Sequence, residues 1–247
     1  MTNIEINNIY NMDCLIGMKD IPDKSIDMIL CDLPYGTTRN DWDSVIPLEP
    51  LWEHYERIIK DNGAIVLTAQ TPFDKVLGAS NKELLKYEWI WEKPSGTGHL
   101  NAKKMPLKNH ENILVFYKKL PTYNPQMTKG IAYVQKSGKG SSNYNEQESV
   151  VTENYGERYP VSIQLFNPEK GLHPTQKPVP LFEYLIKTYT NEGELVLDNC
   201  MGSGTTAIAC HRLNRNFIGF ELDEDYYNIA IDRYHNEVSQ TSIFEFI

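Results

Sequence analysis

The stretch Asp198-Asn199-Cys200-Met201-Gly202-Ser203-Gly204-Thr205-Thr206-Ala207 decides the fold class of this chain. Gly202, Gly204 and Ala207 fit the pattern G-x-G-x-x-G/A, which lies between a strand and a helix. Glycines let the backbone approach a ligand closely, and the N-terminus of the following helix adds amide donors. Glu221 ends the next predicted strand, and an acidic side chain about 20 residues further on can hold ribose hydroxyls. The turn therefore predicts a nucleoside-containing cofactor, with a tight strand–helix turn that binds no ligand as the alternative.

Predicted strands and helices alternate on both sides of this turn. Apolar runs and helical spacing predict strands at 26–31, 64–69, 87–91, 113–117, 194–197 and 217–221, and helices at 50–60, 73–85, 181–189, 204–213 and 224–234. The first helix is expected to end at Asp61-Asn62-Gly63, with the glycine as a left-handed cap. Such alternation is typical of a mostly parallel, doubly wound α/β sheet. Residues 120–171 lack it and are interpreted as a loop-rich insertion, because Gly, Ser, Asn, Pro and Tyr replace the apolar runs.

A second turn, Asp32-Leu33-Pro34-Tyr35, follows the predicted strand at 26–31. Asp32 offers a carboxylate oxygen and Pro34 a backbone carbonyl, and two such acceptors can grip the N–H groups of an amine. They would free the nitrogen lone pair and stabilise positive charge that grows on nitrogen in a transition state. Tyr35 offers an aromatic face on which an extruded base can stack. A match of four residues also arises by chance, so an ordinary strand–turn junction is the alternative.

Together these motifs resemble those of the DNA amino-methyltransferases, the N6-adenine and N4-cytosine family. Residues 32–35 resemble the catalytic motif [D/N/S]-P-P-Y, with Leu33 in place of the first proline, and residues 198–205 resemble the cofactor loop. The catalytic motif comes first, as in the circularly permuted β group, whose specificity region lies between the two motifs. The resemblance implies a Rossmann-like, S-adenosylmethionine-dependent α/β fold, with residues 1–119 and 172–247 as the catalytic domain and 120–171 as the target-recognition region. By resemblance, an aspartate at the first position of the catalytic motif, Asp32, implies that the target is N6 of adenine. N4 of cytosine stays open as the alternative target.

The resemblance also implies which residues meet S-adenosylmethionine. The glycine-rich loop would hold it, with Glu221 at its ribose and Asp198 or Asp32 at its ammonium. Residues 173–178 and 11–15 resemble family segments that lie against it. The expected cofactor residues are Asp13, Asp32, His173, Thr175, Lys177, Asp198, Cys200, Gly202, Ser203, Gly204, Thr205, Glu221 and Leu222, and the expected catalytic residues are Asp32, Pro34 and Tyr35. Methyl transfer would be direct and in-line, with no metal.

Charge is distributed unevenly along the chain. The net charge of −9 argues against a protein that coats nucleic acid, yet residues 86–147 hold ten lysines and four glutamates, a balance of +6. A basic stretch on an acidic body is the electrostatic footprint of a phosphate-binding face, although a solvated lysine-rich surface has the same composition. The residues expected at double-stranded DNA are Trp42, Lys93, His99, Lys103, Lys104, Lys108 and His110.

Other features bound the remaining classes. The sequence has neither an apolar run of about 18 residues nor the apolar core of a signal peptide, so a cytoplasmic protein is expected. No C-x-x-C pair is present, and no proline precedes a cysteine, which argues against a C5-cytosine methyltransferase. A nicotinamide-dependent dehydrogenase and a catalytically inactive DNA-binding module are the rival interpretations. The resemblance allows a homodimer and a cognate restriction endonuclease as partners.

Overall fold

The computed structural model describes residues 3–36, 44–136, 151–169, 171 and 176–244. The chain divides into two compact units, Met1–Asn124 with Ser162–Ile247 and, separately, Pro125–Val161. The strands are β1 Asn8–Asn11, β2 Ile26–Asp32, β3 Ile59–Ala69, β4 Leu85–Thr97, β5 Lys108–Phe116, β6 Thr128–Lys129, β7 Tyr133–Lys136, β8 Val151–Asn154, β9 Glu157–Arg158, β10 Ile163–Leu165, β11 Leu195–Asp198 and β12 Asn216–Glu221. The α-helices are α1 Cys14–Gly17, α2 Leu48–Ile58, α3 Phe73–Ser80, α4 Val179–Tyr189, α5 Thr205–Arg212 and α6 Glu224–Phe244, with 3-10 turns at Met18–Asp20 and His99–Asn101.

The larger unit is built on one mainly parallel sheet. Within the described ranges, eight strands hydrogen-bond in the order β1-β12-β11-β2-β3-β5-β4-β10. Only β5 runs against its neighbours in this sheet, antiparallel to both β3 and β4. The chain proceeds outward from β2 in one direction and from β11 in the other, so the strand order reverses between these two strands. In open α/β sheets, ligands bind outside the carboxyl ends of the strands at such a switch point.

Helices cover both faces of this sheet, which explains why its inner strands are apolar at consecutive positions. Met28 and Leu30 of β2 pack into one buried cluster with α4, α5 and Ala230 of α6. Ile29 and Cys31 point to the other face and join a second cluster with α1, α2 and α3. The predicted α/β class with a mostly parallel, doubly wound sheet is confirmed. None of the helices in the described parts of the chain is long and apolar enough to cross a membrane.

Several of the predicted element boundaries are wrong. Helix α2 ends at Ile58 and β3 begins at Ile59, so residues 61–63 lie inside a strand and Gly63 caps no helix. Gly63 is instead a site of close approach, because a Cβ there would lie 2.7 Å from the backbone oxygen of Asp27. Helix α3 ends at Ser80 rather than at residue 85, and β4 continues to Thr97.

The described residues of the smaller unit, 125–136 and 151–161, form two short ribbons. β6 pairs with β9 and β7 with β8, both antiparallel, and most of their side chains are exposed. Arg158 holds the ribbon ends together through the backbone oxygen of Ile131 and the side chain of Asn154. Residues 163–165, which lie inside the segment interpreted as an insertion, form β10 and belong to the sheet of the larger unit.

Candidate active site

A cleft of about 610 Å³ opens at the carboxyl ends of β2 and β11, where the strand order reverses. The turn after β2 and the turn after β11 both line it, so the two motifs recognised in the sequence meet in one cavity. The predicted residues that line the cleft are Asp13, Asp32, Pro34, Tyr35, Lys177, Asp198, Cys200, Gly202, Ser203, Thr205, Glu221 and Leu222. Gly204 lies behind this wall and is buried. His173, Thr175 and Trp42 fall outside the described residues.

The glycine-rich turn needs its glycines for two different reasons. Gly202 and Gly204 have φ angles of +54° and +82°, a region that L side chains rarely adopt. A Cβ on Gly204 would lie 3.2 Å from Ala230 of α6, so this glycine allows close packing. A Cβ on Gly202 would meet nothing within 4 Å, so its surroundings are open. Gly202 thus leaves its backbone accessible in the cleft, whereas Gly204 lets the turn pack closely against α6.

Glu221 fixes the shape of this turn from the end of β12. Its Oε2 accepts a hydrogen bond of 2.7 Å from the Gly202 amide, and its Oε1 accepts one of 2.9 Å from the Asp223 amide. Burial raises the pKa of the Glu221 carboxyl more than these two donors lower it. The carboxylate therefore lines a poorly hydrated part of the cleft, where a further donor from a ligand would stabilise its charge.

Asp198 is almost fully buried at the end of β11. Its Oδ1 accepts a 3.0 Å hydrogen bond from the Cys200 amide, and its Oδ2 accepts one from the Thr206 hydroxyl. Burial outweighs these donors and raises the pKa of Asp198 to about 7. A cationic ligand group in the cleft would favour the ionised form, because an opposite charge lowers the pKa of a carboxyl.

Asp13 lines the cleft from the junction between β1 and α1. Its Oδ1 accepts hydrogen bonds of 2.7 and 3.3 Å from the Leu15 and Ile16 amides, which makes it the N-cap of α1. Below it, the buried Asn199 amide lies 3.6 Å from the sulfur of Cys14 and 3.5 Å from that of Cys200. The side chain of Asn199 therefore joins the two strand-end segments that form the floor of the cleft.

Asp32 at the end of β2 carries the densest set of contacts in the cleft. Its Oδ1 accepts a 2.6 Å hydrogen bond from the Tyr35 hydroxyl and another from the Thr68 hydroxyl. Burial and the charge of Asp32 raise the pKa of Tyr35 well above 10, so its hydroxyl stays protonated as a donor. The Tyr35 ring stacks on Phe73 with centroids 5.4 Å apart. These contacts hold Asp32 in one orientation.

A buried ion-pair chain continues from Asp32 across the cleft wall. Lys177 Nζ, on a residue only 5% exposed, lies 2.5 Å from Asp32 Oδ2 and 3.4 Å from Glu111 Oε2. Glu111 Oε1 in turn lies 2.5 Å from Lys93 Nζ, which also sits over the Trp91 ring. Burial opposes the charge of Lys177, but the two carboxylates outweigh it and raise its pKa. The charges of two carboxylates, Asp32 and Glu111, and two ammonium groups, Lys177 and Lys93, therefore balance each other in this series of ion pairs.

Apart from Trp42, which the structure does not describe, the residues predicted to contact DNA lie on or near the hairpin formed by β4 and β5. Lys93 is engaged with Glu111, and Lys108 Nζ lies 2.6 Å from Oε1 of Gln70, which lines the cleft. The other predicted residues of the hairpin that the structure describes are exposed, namely His99, Lys103, Lys104 and His110. Thr68 and Glu111 were not among the predicted site residues. The segment His110-Glu111-Asn112 resembles a family segment and so carries a signal for Glu111, although hydrogen bonding at a strand end explains it almost as well. Thr68 is one of several β-branched residues in a strand and carries no such signal.

The comparisons with known proteins agree with this architecture. A DNA methylase family model for N6 and N4 methylases matches residues 26–232. The type II methyltransferase M1.MboII of Moraxella bovis is 30% identical over 253 residues, which cover 92% of this chain and 96% of that protein.

Solved structures show the same likeness. The M1.HpyAVI–SAM complex is 27% identical with a TM-score of 0.64 and covers 92% of this chain and 98% of that one. The PvuII DNA methyltransferase, cytosine-N4-specific, has a TM-score of 0.70 at 16% identity, covers 94% and 87% of the two chains, and shows likeness of fold alone. This chain belongs to the N6/N4 family of DNA methylases, enzymes that take their methyl group from S-adenosylmethionine.

Proposed function

We propose that this protein is a site-specific DNA methyltransferase that methylates N6 of an adenine flipped out of duplex DNA. The observation that carries the proposal is the single cleft that joins Asp32 and the Gly202 turn. An amine acceptor and a nucleoside-binding loop are of use to each other only if they share one cavity, since methyl transfer needs reacting atoms about 3–3.5 Å apart. The enzyme class follows from the family, and the choice of base is part of the proposal.

The cleft fits S-adenosylmethionine in size and in the chemistry of its walls. Its 610 Å³ lies within the usual range for small-ligand sites, roughly 300–1,000 Å³. Glu221 can accept ribose hydroxyls beside the open backbone of Gly202, and Asp198 can hold the ammonium group. S-adenosylmethionine supplies an electrophilic methyl group on a sulfonium. The carboxylates of Asp13, Asp32, Asp198 and Glu221 line the cleft and would attract a cationic ligand.

Asp32 and the carbonyl of Pro34 would accept the two N–H groups of the base. These acceptors pull the amine towards a tetrahedral nitrogen and stabilise the positive charge that develops there. The Tyr35 and Thr68 hydroxyls keep Asp32 Oδ1 fixed, so little reorganisation is needed as the reaction proceeds. The aspartate at the head of the motif supports adenine by resemblance, and N4 of cytosine is the second candidate, since the family includes both.

Duplex DNA would lie across the exposed side of the β4–β5 hairpin. Lys103 and Lys104 are exposed there and can contact phosphates. Residues 120–171, which include the small unit Pro125–Val161, are proposed as the target-recognition region. Its exposed Tyr155 and Tyr159 can stack on or contact base edges. A second copy of the chain and an endonuclease that cuts the same sequence are partners that the resemblance implies.

Expression in a host without adenine methylation, followed by nucleoside mass spectrometry of its DNA, tests the proposal. We expect N6-methyladenine at one short sequence, and we expect Asp32→Ala to lower turnover by about 10²–10³-fold because a preorganised acceptor is lost. Asp32→Asn keeps the shape of the side chain and one oxygen acceptor, so it separates loss of the acceptor from loss of the carboxylate charge that pairs with Lys177. Asp232→Ala, on the exposed side of α6, is the matched control and should be fully active.

Two results would overturn the proposal. N4-methylcytosine as the product would transfer it to the second candidate. Unmethylated DNA, together with tight DNA binding by the purified protein, would favour the catalytically inactive module. Normal turnover by both Asp32 variants would remove the acceptor role, whatever the product.

A further inference from the structure

The tip of the β4–β5 hairpin, residues 98–105, is a turn closed by backbone hydrogen bonds. The last ladder pair of the hairpin is Thr97 with Lys108, and Gly98 follows in a left-handed conformation with φ +90°. Backbone hydrogen bonds then close the turn, from Asn101 to Gly98, from Ala102 to His99, and from Lys104 and Met105 to Asn101. Four bonds over eight residues fix the backbone of this turn, and with it the positions from which its side chains project.

An apolar side chain stands at the end of this turn. Leu100 is 101% exposed, which means that it gains no burial from the protein at all. Met105 at the end of this turn and Leu107 just beyond it are also exposed, at 57% and 40%. Single exposed leucines are common on protein surfaces. Here three exposed apolar residues fall within eight positions of the connection between β4 and β5, and clustered exposed apolar residues mark contact sites more often than scattered ones do.

The charge around these apolar residues identifies the class of their partner. Residues 93–109 contain four lysines and one histidine and no acidic residue, in a chain whose net charge is −9. His99, Lys103 and Lys104 are exposed beside Leu100. A nucleic-acid duplex is a polyanion whose stacked bases form an apolar interior. It therefore fits a surface on which an exposed apolar side chain is surrounded by cationic ones.

The tip of the hairpin lies next to the cleft, because the start of β5, residues 108–111, reaches the cleft wall. Glu111 of β5 lines the cleft, and Lys108 is three residues earlier, about 10 Å along the strand. The Lys108 ammonium also reaches back to Gln70 of the cleft wall at 2.6 Å. Because β4 runs parallel to β3, the hairpin extends from the same carboxyl edge as Asp32. The tip therefore stands beyond the mouth of the cavity that would receive a flipped base.

We propose that Leu100 is a wedge that enters the duplex beside the target adenine and fills the space that the flipped base leaves. The inference rests on the proposed function. An extruded base leaves a gap in the stack, and an apolar side chain between base steps offsets part of the unstacking cost. Lys103 and Lys104 hold the flanking phosphates while Leu100 occupies the stack. The wedge acts on base flipping and has no part in the methyl transfer itself.

The test compares two duplexes that carry the sequence methylated in the host. In one the target adenine faces thymine, and in the other it faces an abasic site, so that the pair no longer has to be broken. We expect Leu100→Ala to lower kcat/KM at least 10-fold on the first duplex and less than 3-fold on the second. Leu100→Met, which keeps an apolar side chain of similar length, should keep wild-type activity on both. Ile6→Ala, at a 55% exposed apolar position that precedes β1, is the control.

The same assay separates the possible failures. Wild-type activity of Leu100→Ala on both duplexes would overturn the wedge. An equal loss on both duplexes would also overturn it, because Leu100 would then contribute to binding and not to flipping. If the wild-type protein methylates adenine in neither duplex, the proposed function itself fails, and the inference fails with it. Fluorescence of 2-aminopurine at the target position gives an independent measure, since Leu100→Ala should reduce the increase that extrusion causes.

Discussion

Lys177→Met tests the buried ion-pair chain of the cleft wall most directly. Lys177 is 5% exposed and is the only cation in the described residues that pairs with both Asp32 and Glu111. Methionine has a similar length, so packing is largely kept while the ammonium is removed. Two carboxylates would then face each other without the cation between them.

The structure sets the size of the effect. Removing one partner of a buried pair costs about 3–5 kcal/mol when the remaining charge stays dry. Asp32 is partly exposed and can regain water, and Glu111 keeps its contact with Lys93, so the lower end of this range applies. We expect a loss of about 3 kcal/mol, which for a domain of this size lowers Tm by roughly 6–12 °C. Lys187→Met, on an exposed position of α4, should change Tm by less than about 2 °C.

The pH dependence gives a second, independent signature. Burial raises the pKa of Glu111, but Lys177 and Lys93 outweigh it and bring the folded value below 4.5. A carboxyl whose pKa is lower in the folded than in the unfolded protein stabilises the fold at pH values above its unfolded pKa. This stabilisation is lost as the pH falls through the folded pKa. The Lys177 pKa is raised above 10.5, so its contribution is full below that value and disappears at higher pH. The difference between wild type and variant should be constant from about pH 6 to 9 and shrink below about pH 4.5.

Scanning calorimetry at pH 7 and pH 4 measures both signatures, with the Lys187→Met variant beside the wild type. A Tm difference under about 2 °C at pH 7 would refute the reasoning, because it would mean that the carboxylates need no cation. A large difference that is the same at both pH values would refute it too, since the loss would then come from packing and not from charge.

Three further predictions concern the cleft. Gly202→Val should weaken S-adenosylmethionine binding at least 10-fold by calorimetry, whereas Gly193→Val, also at a left-handed glycine with open surroundings, should not; equal affinities would contradict the assigned backbone approach. Because the pKa of Asp198 is about 7, S-adenosylmethionine affinity should rise between pH 6 and 8 by up to about ten-fold per unit below the pKa, and Asp198→Asn should flatten this slope; a wild-type slope in the variant would exclude Asp198 as the ammonium partner. Tyr35→Phe keeps the ring on Phe73 but removes the donor to Asp32, so kcat should fall roughly 10-fold with unchanged DNA affinity, as measured by single-turnover kinetics and anisotropy; unaltered kcat would show that Asp32 needs no such support.

The sequence predicted the centre of the fold well because its inner strands have both faces buried. β2 and β11 are short apolar runs that end at an aspartate, and the left-handed glycines after β11 have no common substitute. β1 was missed for the opposite reason. Its residues are Asn, Ile, Tyr and Asn, only Ile9 is buried, and it is a strand because β12 offers it a free edge. Pairing with a distant edge leaves no local pattern to detect.

The site was predictable where one segment supplies the chemistry and unpredictable where distant segments combine. Asp32, Tyr35 and the Gly202 turn form local motifs, and all of them line the cleft. The pairing of Lys177 with Asp32 joins residues 145 positions apart, and no charge count indicates which lysine meets which carboxylate. Lys93 is a second example. The sequence predicted it at DNA, but its Nζ lies 2.5 Å from Glu111 Oε1. The residue-level roles in cofactor and DNA binding stay predictions that the variants above test.

The position of β2 beside β11 has a consequence for synthesis on the ribosome. The two strands are joined by contacts between residues 168 positions apart, and β1 meets β12 across 210 positions. At usual translation speeds, roughly 10–30 s pass between the appearance of β2 and that of its second neighbour. During this interval β2 can pair with β3, but its other edge and its apolar face stay uncovered, which is the condition under which nascent sheets aggregate. Prematurely terminated chains should therefore need chaperones and bind no cofactor, so methylation begins only after nearly the whole polypeptide has been made.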